Sequence, residues 1–387
     1  MGPFEPQRFL AVMGNAGDIA TWSGIPYYFY QAGRSTGFFR DALDLHTEGL
    51  TWPRRWWNLK QVLSGKGRGG YQYSRNCLHR SFAVVSAQIA DAEIISHFQL
   101  FPPYDMAQEY RITNSFYIDL PLTRLFDEYR IGQTIGRSIA REAIQREQEG
   151  YQRARYVVCM STWAARAVQE EYGIPSEKVL VVLPGANFHD HVISEYEALI
   201  DAQAIQAIFN QKRPFRLGFI GKDYHRKGLP RLIKAAHVLR SQGYNCEVAV
   251  VGNMPKEYSE DPAMKWLGFI DKRKDEHAFV QTVMTFDLGC LPSYAEGLGI
   301  ATLEALRLGI PVLGSQVGGI TDCIPAKAGL LIPPKASGEE IASVIQPLLD
   351  NPDRYAAMRL EARRIRAHYS WRRTIAQFTQ IFEPQAC

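Results

Sequence analysis

Twice in this chain a short apolar run passes into a glycine-bearing loop and then into a helix, first from Phe9–Met13 and again from Phe215–Ile220. Repetition of that unit builds a parallel sheet, because each strand needs a crossover to start again from the same edge. The first series continues through the apolar runs Ala92–Phe98, Tyr110–Phe116, Tyr156–Met160 and Val179–Leu183. The second continues through Glu247–Gly252, Phe286–Leu291 and Pro311–Gly314. The expected fold class is therefore α/β, doubly wound. At 387 residues the chain is too long for one ordinary core, so two domains are expected. The restart divides it into a first domain over 1–188, a linker over 189–213 that is polar and helical without a clear apolar stripe, and a second domain over 214–369.

Composition narrows the function classes. Six cysteines lie far apart with no C-x-x-C pair, which fits reduced thiols in the cytoplasm better than a disulfide frame or a zinc site. No cluster of metal ligands stands out, and no metal or cofactor is expected. Phe9–Met13 is too short for a signal sequence, and no later run reaches the length of a membrane span. A soluble chain, at most peripheral on the inner face of a membrane, is the expectation.

The net charge of +4 hides a local excess. Gly49–Ala90 holds no Asp or Glu but seven basic residues, and subtracting these leaves −3 for the rest. Trp52, Trp56 and Trp57 are interleaved with Arg54, Arg55 and Lys60. The plain reading is a solvated loop and helix whose tryptophans are core. The sharper reading, for residues 50–80, is an anionic membrane surface or an anionic acceptor. Nucleic acid is not expected, since the stretch matches no nucleic-acid module.

Candidate site residues concentrate in Pro292–Glu304, PSYAEGLGIATLE, between a strand's carboxyl end and a helix's amino end. Ligands of open α/β sheets bind at that edge, where unpaired amides favour an anion. Gly297 and Gly299, either side of Leu298, let a phosphate approach the backbone. Glu304, on the first or second helical turn together with Thr302, can accept from both hydroxyls of a ribose. Glu296 is placed for a second hydroxylated group. The spacing suits a nucleotide diphosphate sugar. In the basic loop GKDYHRKG, Lys222 and Lys227 can neutralise a diphosphate, although loop lysines are usually just solvated. After the first strand, GNAGDIATWSG leads to a helix opened by Pro26. Gly14, Gly17 and Gly24 do not have the G-x-G-x-x-G spacing, so a turn without a ligand remains an equal reading.

These stretches together carry a resemblance. FIGKDYHRKGLPRLIKAAHVL, LPSYAEGLGIATLEALRLGIPVLGSQVGGITD and the tail from GLLIPP through YSWRRTIAQF resemble the carboxyl-terminal domain of glycosyltransferase family four. SGIPYYFYQA and ARYVVCMSTWAARAVQEEYGIPSEKVLVVLPGAN are similar to that family's amino-terminal domain, so the resemblance covers nearly the whole chain. It implies the GT-B fold, two Rossmann-like domains facing an interdomain cleft, with the last helix, within 370–387, packing back on the first domain. It also implies a retaining, metal-independent sugar transfer from a UDP- or GDP-sugar to a hydroxyl. By the family's motif, Glu296 faces the donor sugar, Glu304 binds the ribose, Lys222 and Lys227 hold the diphosphate, and Ser23 and Gly24 contact the phosphates. Lys222 stands where arginine is commoner, which keeps the charge and loses the planar fork.

A second departure concerns a histidine that many members carry near the sugar, where this chain has NSFYIDLPL. Tyr117 and Asp119 remain there. Asp119 either touches the sugar or the incoming hydroxyl, or caps the helix beginning near Pro121. His97 is expected to be a packed strand-end histidine. Outside transfer, the alternatives are an epimerase or phosphorylase of the same fold, and a sugar-nucleotide-binding protein without catalysis.

Overall fold

The structure is a computed structural model that describes residues 7–45, 51–64, 69–129, 131–202 and 213–383. The chain falls into two compact units, Met1–Leu183 with Ile375–Cys387, and Pro184–Thr374. Lys66, Arg68 and part of the expected linker, 203–212, lie outside the described residues.

The first unit is built on strands β1 (Arg8–Val12), β2 (Asp41–Asp44), β3 (Glu93–Ser96), β4 (Thr113–Ile118), β5 (Val157–Cys159) and β6 (Val179–Val181). They lie in the order β2-β1-β3-β4-β5-β6, every pair parallel. The second unit holds β7 (Phe215–Gly221), β8 (Cys246–Gly252), β9 (Met264–Gly268), β10 (Leu288–Leu291), β11 (Val312–Ser315) and β12 (Gly329–Ile332), ordered β12-β11-β10-β7-β8-β9 and again wholly parallel. Each order reverses direction once along the sheet. The reversal falls between β1 and β3 in one unit and between β7 and β10 in the other. Loops diverge there to opposite faces and leave a crevice at the strands' carboxyl ends, where such sheets take ligands. Both glycine-bearing loops of the opening pattern, after β1 and after β7, therefore emerge at a reversal.

Three strands have no counterpart in the apolar runs of the sequence: β2, β9 and β12. All three are edge strands. One side of an edge strand is wet, so DALD leaves Asp41 and Asp44 exposed and MKWLG leaves Lys265 exposed. By contrast, the helix Leu229–Ser241 buries Leu229, Leu232, Ile233, Ala236 and Leu239, the face its spacing predicts.

The stretch opening at His189, expected to lack an apolar stripe, contains the helix Asp190–Ala202 with Val192, Ile193, Tyr196 and Ile200 buried along one side. Tyr196 meets His277 and Gln281 through its hydroxyl, so this helix belongs to the packing of the second unit. In the first unit, Phe378 and Phe382 of the last helix, Trp371–Phe382, pack among Phe29, Phe38 and Tyr117. The plain reading of the tryptophans is overturned for two of them. Trp52 and Trp56 are each 67% exposed, and only Trp57 turns inward, donating from Nε1 to Gly69 O at 2.9 Å. Among the described residues no helix is long and apolar enough to cross a membrane.

Candidate functional site

Because β7 pairs with β10 at the reversal, the basic loop and the Glu296 loop leave the second sheet side by side. The two are pressed together by backbone. Gly228, at φ +78°, begins the Leu229–Ser241 helix, and a Cβ there would lie 1.8 Å from Pro292 O. Gly318, at φ +51°, would place a Cβ 1.7 Å from Glu296 O, so the far side of the loop tolerates no side chain either.

Arg231 fixes the loop from beneath. Its guanidinium, 6% exposed, donates to the carbonyls of Pro292, Ser293, Pro334 and Ala336 and to Ser315 Oγ. Burial lowers its pKa, but the acceptors around it suit the charged fork. The helical spacing sets Arg231 off the apolar stripe and so predicts a solvated side chain. It is buried because two loops fold over that end of the helix.

On this support Glu296 is 8% exposed and already paired. Its Oε1 stands 3.0 Å from Arg226 Nη1, 3.7 Å from Lys227 Nζ and 3.3 Å from Ser293 Oγ. Arg226 also donates to Ala295 O at 2.6 Å. Of the two lysines singled out by sequence, Lys227 thus reaches the glutamate. Lys222 is exposed, with its Nζ over the Phe269 ring at 5.4 Å. Arg226, between them and unremarked in the sequence, supplies the planar fork that Lys222 lacks.

Glu304 is 3% exposed on the helix Ile300–Arg307 and is paired with Lys272 through Oε1. Lys272 Nζ also donates to Asn187 O at 3.0 Å and sits over the rings of Phe279, at 4.1 Å, and Phe188, at 4.7 Å. The Asn187 segment is itself held, since Glu276 accepts from the His189 amide at 2.8 Å. Gly299 caps the Ile300–Arg307 helix in a left-handed conformation. Thr302 is buried, and its hydroxyl donates to Gly299 O at 2.7 Å, so it shapes the helix start. Leu298 is buried too, its carbonyl meeting Cys323 Sγ, and Gly297 O accepts from the Gly319 amide at 2.9 Å. Lys272 lies in the run DKRKD, which reads as a charged turn and gave no signal of its partner.

The reversal of the first unit is furnished differently. After β1 the chain passes through Trp22 (φ +46°), Ser23 (φ +60°) and Gly24 (φ +86°), three left-handed residues in succession, before the helix Ile25–Ser35. Two of them carry side chains, and such conformations cost about 1–3 kcal/mol each. Trp22 Nε1 donates to Met13 O, and its ring meets His97 edge-on. His97 follows β3, is 8% exposed and contacts Tyr117 O through Nδ1 at 2.8 Å. It is packed, as its place in the sequence suggests, and burial pushes its pKa down to about 4.

Tyr117 points into the core, its hydroxyl on Val182 O and its ring against Phe29 and Phe378, so it cannot stand in for a ligand-facing histidine. Asp119 Oδ1 accepts from the Leu120 amide. The helix-cap reading does not hold, because the first amides of the helix Leu122–Glu128, at Leu122 and Thr123, go to Glu147 and the Tyr172 hydroxyl. Asp119 remains half-buried at the carboxyl end of β4, next to β3 in the sheet.

Residues 201–365 match the model of the family of glycosyl transferases group 1. The matched span takes in most of the second unit. Curated relatives of the chain include an α-D-kanosaminyltransferase of Streptomyces kanamyceticus, 25% identical over 63% of this chain and 61% of its own length. A D-inositol 3-phosphate glycosyltransferase of Corynebacterium urealyticum is 27% identical over 56% of this chain and 53% of its own. The chain thus spans between half and two thirds of the length of these two relatives. Among solved structures, a sucrose-phosphate synthase from Thermosynechococcus elongatus aligns with a TM-score of 0.69 at 16% identity, covering 97% of this chain and 98% of its own. HepE of Anabaena, solved in complex with UDP and glucose, aligns at 0.64 and 14% identity, covering 97% and 99%. The architecture is the GT-B one. The paired glutamates, Arg226, Lys227 and Lys272 all belong to the matched span.

Proposed function

We propose that this protein is a glycosyltransferase that moves a sugar from a nucleotide diphosphate sugar to a hydroxyl with retention of configuration. The observation that carries this reading is the convergence of Arg226 and Lys227 on Glu296 where β7 and β10 part. A buried carboxylate held by two cations beside a helix amino end gives one locus with acceptors for sugar hydroxyls and positive charge for a leaving diphosphate. A UDP-sugar is the first donor to try, because HepE was solved with UDP-glucose as well as with UDP. Sugar transfer accords with the glycosyltransferases among the relatives, and a GDP-sugar is the second donor class to try.

In this mechanism the bond from the anomeric carbon to the β-phosphate oxygen breaks and a bond from that carbon to the acceptor oxygen forms on the same face. The acceptor's proton passes to the departing diphosphate. Negative charge grows on the diphosphate, where Arg226, Lys227, Lys222 and the amides at Gly297–Gly299 stabilise it. No metal cofactor is invoked, because these cations supply the charge. Glu296 orients the sugar through its hydroxyls, and Glu304 accepts from the ribose diol while Lys272 holds its other oxygen. Ser23 and Gly24 are proposed phosphate contacts, and Asp119 a contact to the sugar or the incoming hydroxyl. The five described cysteines are buried free thiols, which fits a reducing compartment such as the cytoplasm.

Incubation with UDP-, GDP- and ADP-sugars and a panel of hydroxyl acceptors should release nucleotide only when an acceptor is present. The product's anomeric configuration by NMR should match the donor's. Nucleotide binding without release under any acceptor, or turnover that needs no acceptor hydroxyl, would remove transfer in favour of a binding protein or an epimerase.

A further inference from the structure

The helix Thr51–Leu63 presents two faces of different character. One is fastened to the first unit: Gln61 is 7% exposed, Trp57 is half-buried with its ring 5.9 Å from that of Tyr71, and the Gly69 amide donates to Asn58 Oδ1 at 3.0 Å. The other carries Trp52, Trp56, Leu59 and Leu63, spaced four, three and four residues apart, which places them on one stripe about 60° wide. Their exposures are 67%, 67%, 49% and 78%. Arg55 flanks the stripe on one side and Lys60 on the other, both exposed, and the Arg55 guanidinium lies over the Trp52 ring. No acidic residue occurs from Gly49 to Ala90.

We propose that this stripe is a membrane-docking face, and that it seats the first unit on a bilayer rich in anionic lipid. Indoles favour the headgroup boundary, where the ring is buried and the N–H stays wet, and leucines deepen the contact. Arg55 and Lys60 then lie at the level of the lipid phosphates, with Arg54 adding to the same field. A second copy of the chain is a poorer occupant. Pairing two stripes would bring two acid-free cationic helices together with nothing of opposite sign between them. The proposal does not rest on the donor reading, and it makes a membrane-borne hydroxyl an accessible acceptor.

The full chain is sedimented with vesicles of phosphatidylcholine alone and of equal parts phosphatidylcholine and phosphatidylglycerol, and its self-association is followed by analytical ultracentrifugation. Wild-type protein should pellet with the anionic vesicles and stay in solution with the neutral ones. The double variant Trp52→Ser, Trp56→Ser should lose at least about tenfold in partitioning while keeping the wild-type melting temperature, since both indoles project outward. Arg55→Gln with Lys60→Gln, an independent variant, should lose on the order of tenfold and flatten the salt dependence. Three results would each overturn the proposal. Wild-type protein could remain in the supernatant with anionic vesicles, either variant could bind as wild type does, or the wild type could form a dimer that the tryptophan variant does not.

Discussion

The two sheet reversals of this molecule are topologically alike and chemically opposite. Between β7 and β10 the crevice is lined by charge, with Arg226 and Lys227 on Glu296 and Lys272 on Glu304. Between β1 and β3 it is lined by backbone and aromatic surface, with Trp22, Ser23 and Gly24 in left-handed conformations beside a neutral, buried His97. One edge gathers cations around two buried carboxylates, which on the proposed function hold and discharge a diphosphate sugar. The other stores conformational strain in a turn that only a folded surrounding maintains. The lesson is that a shared strand plan fixes where a ligand is held but leaves the chemistry to a few loop residues.

The sharpest way to break this contrast is to remove the charge that organises the second edge without touching substrate. Arg231→Ala should cost about 4 kcal/mol in urea unfolding, because several buried carbonyls lose their donor at once. Arg231→Lys should recover only part of it, since an ammonium lacks the planar fork. A loss below about 1 kcal/mol for Arg231→Ala would show that the loop holds its own shape.

The first edge should respond to acid through His97. Its folded pKa of about 4 lies below the ordinary imidazole value near 6.5, so between these values the unfolded chain binds the extra proton. Stability from this residue is therefore complete above pH 6.5 and is lost as pH falls toward 4, by about 3 kcal/mol in all. His97→Gln should remove that share of the acid loss, measured as the difference between the two proteins' stability at pH 6.5 and pH 4. Parallel pH profiles would place the acid sensitivity elsewhere.

Smaller effects separate the pieces within each edge. Lys272→Met should weaken donor binding about tenfold at unchanged saturated turnover, because Glu304 loses the cation that orients it. Affinity equal to wild type would make the ion pair a bystander. Ser23→Gly should stabilise the first unit by roughly 1 kcal/mol by relieving its left-handed backbone, and a thermal melt that shifts downward would contradict the strain argument.

How much of this was legible in the sequence follows the same division. Central strands and the Leu229–Ser241 helix show themselves through apolar runs or a regular stripe, whereas β2 and β9 are wet on one side and lack that signature. Glu296 and Glu304 are legible because acidic residues between a strand and a helix start have a physical meaning at that spot. Arg226, Arg231 and Lys272 are not, since each lies in a stretch whose local pattern predicts solvent and acquires its partner only when distant segments meet. Strand order, which brings the loops after β7 and β10 together, has no local signature. The exposed indoles of Trp52 and Trp56 were likewise open to two readings until the helix's anchored face was known.

The central claim is that the two glutamates of the second unit have separate tasks, and steady-state kinetics of Glu296→Ala and Glu304→Ala with the responsive donor tests it most directly. Glu296→Ala should lower kcat by on the order of a hundredfold or more with little change in donor KM, and Glu304→Ala should raise donor KM and leave most of kcat. Wild-type kcat in Glu296→Ala, or the same change in both variants, would contradict the account.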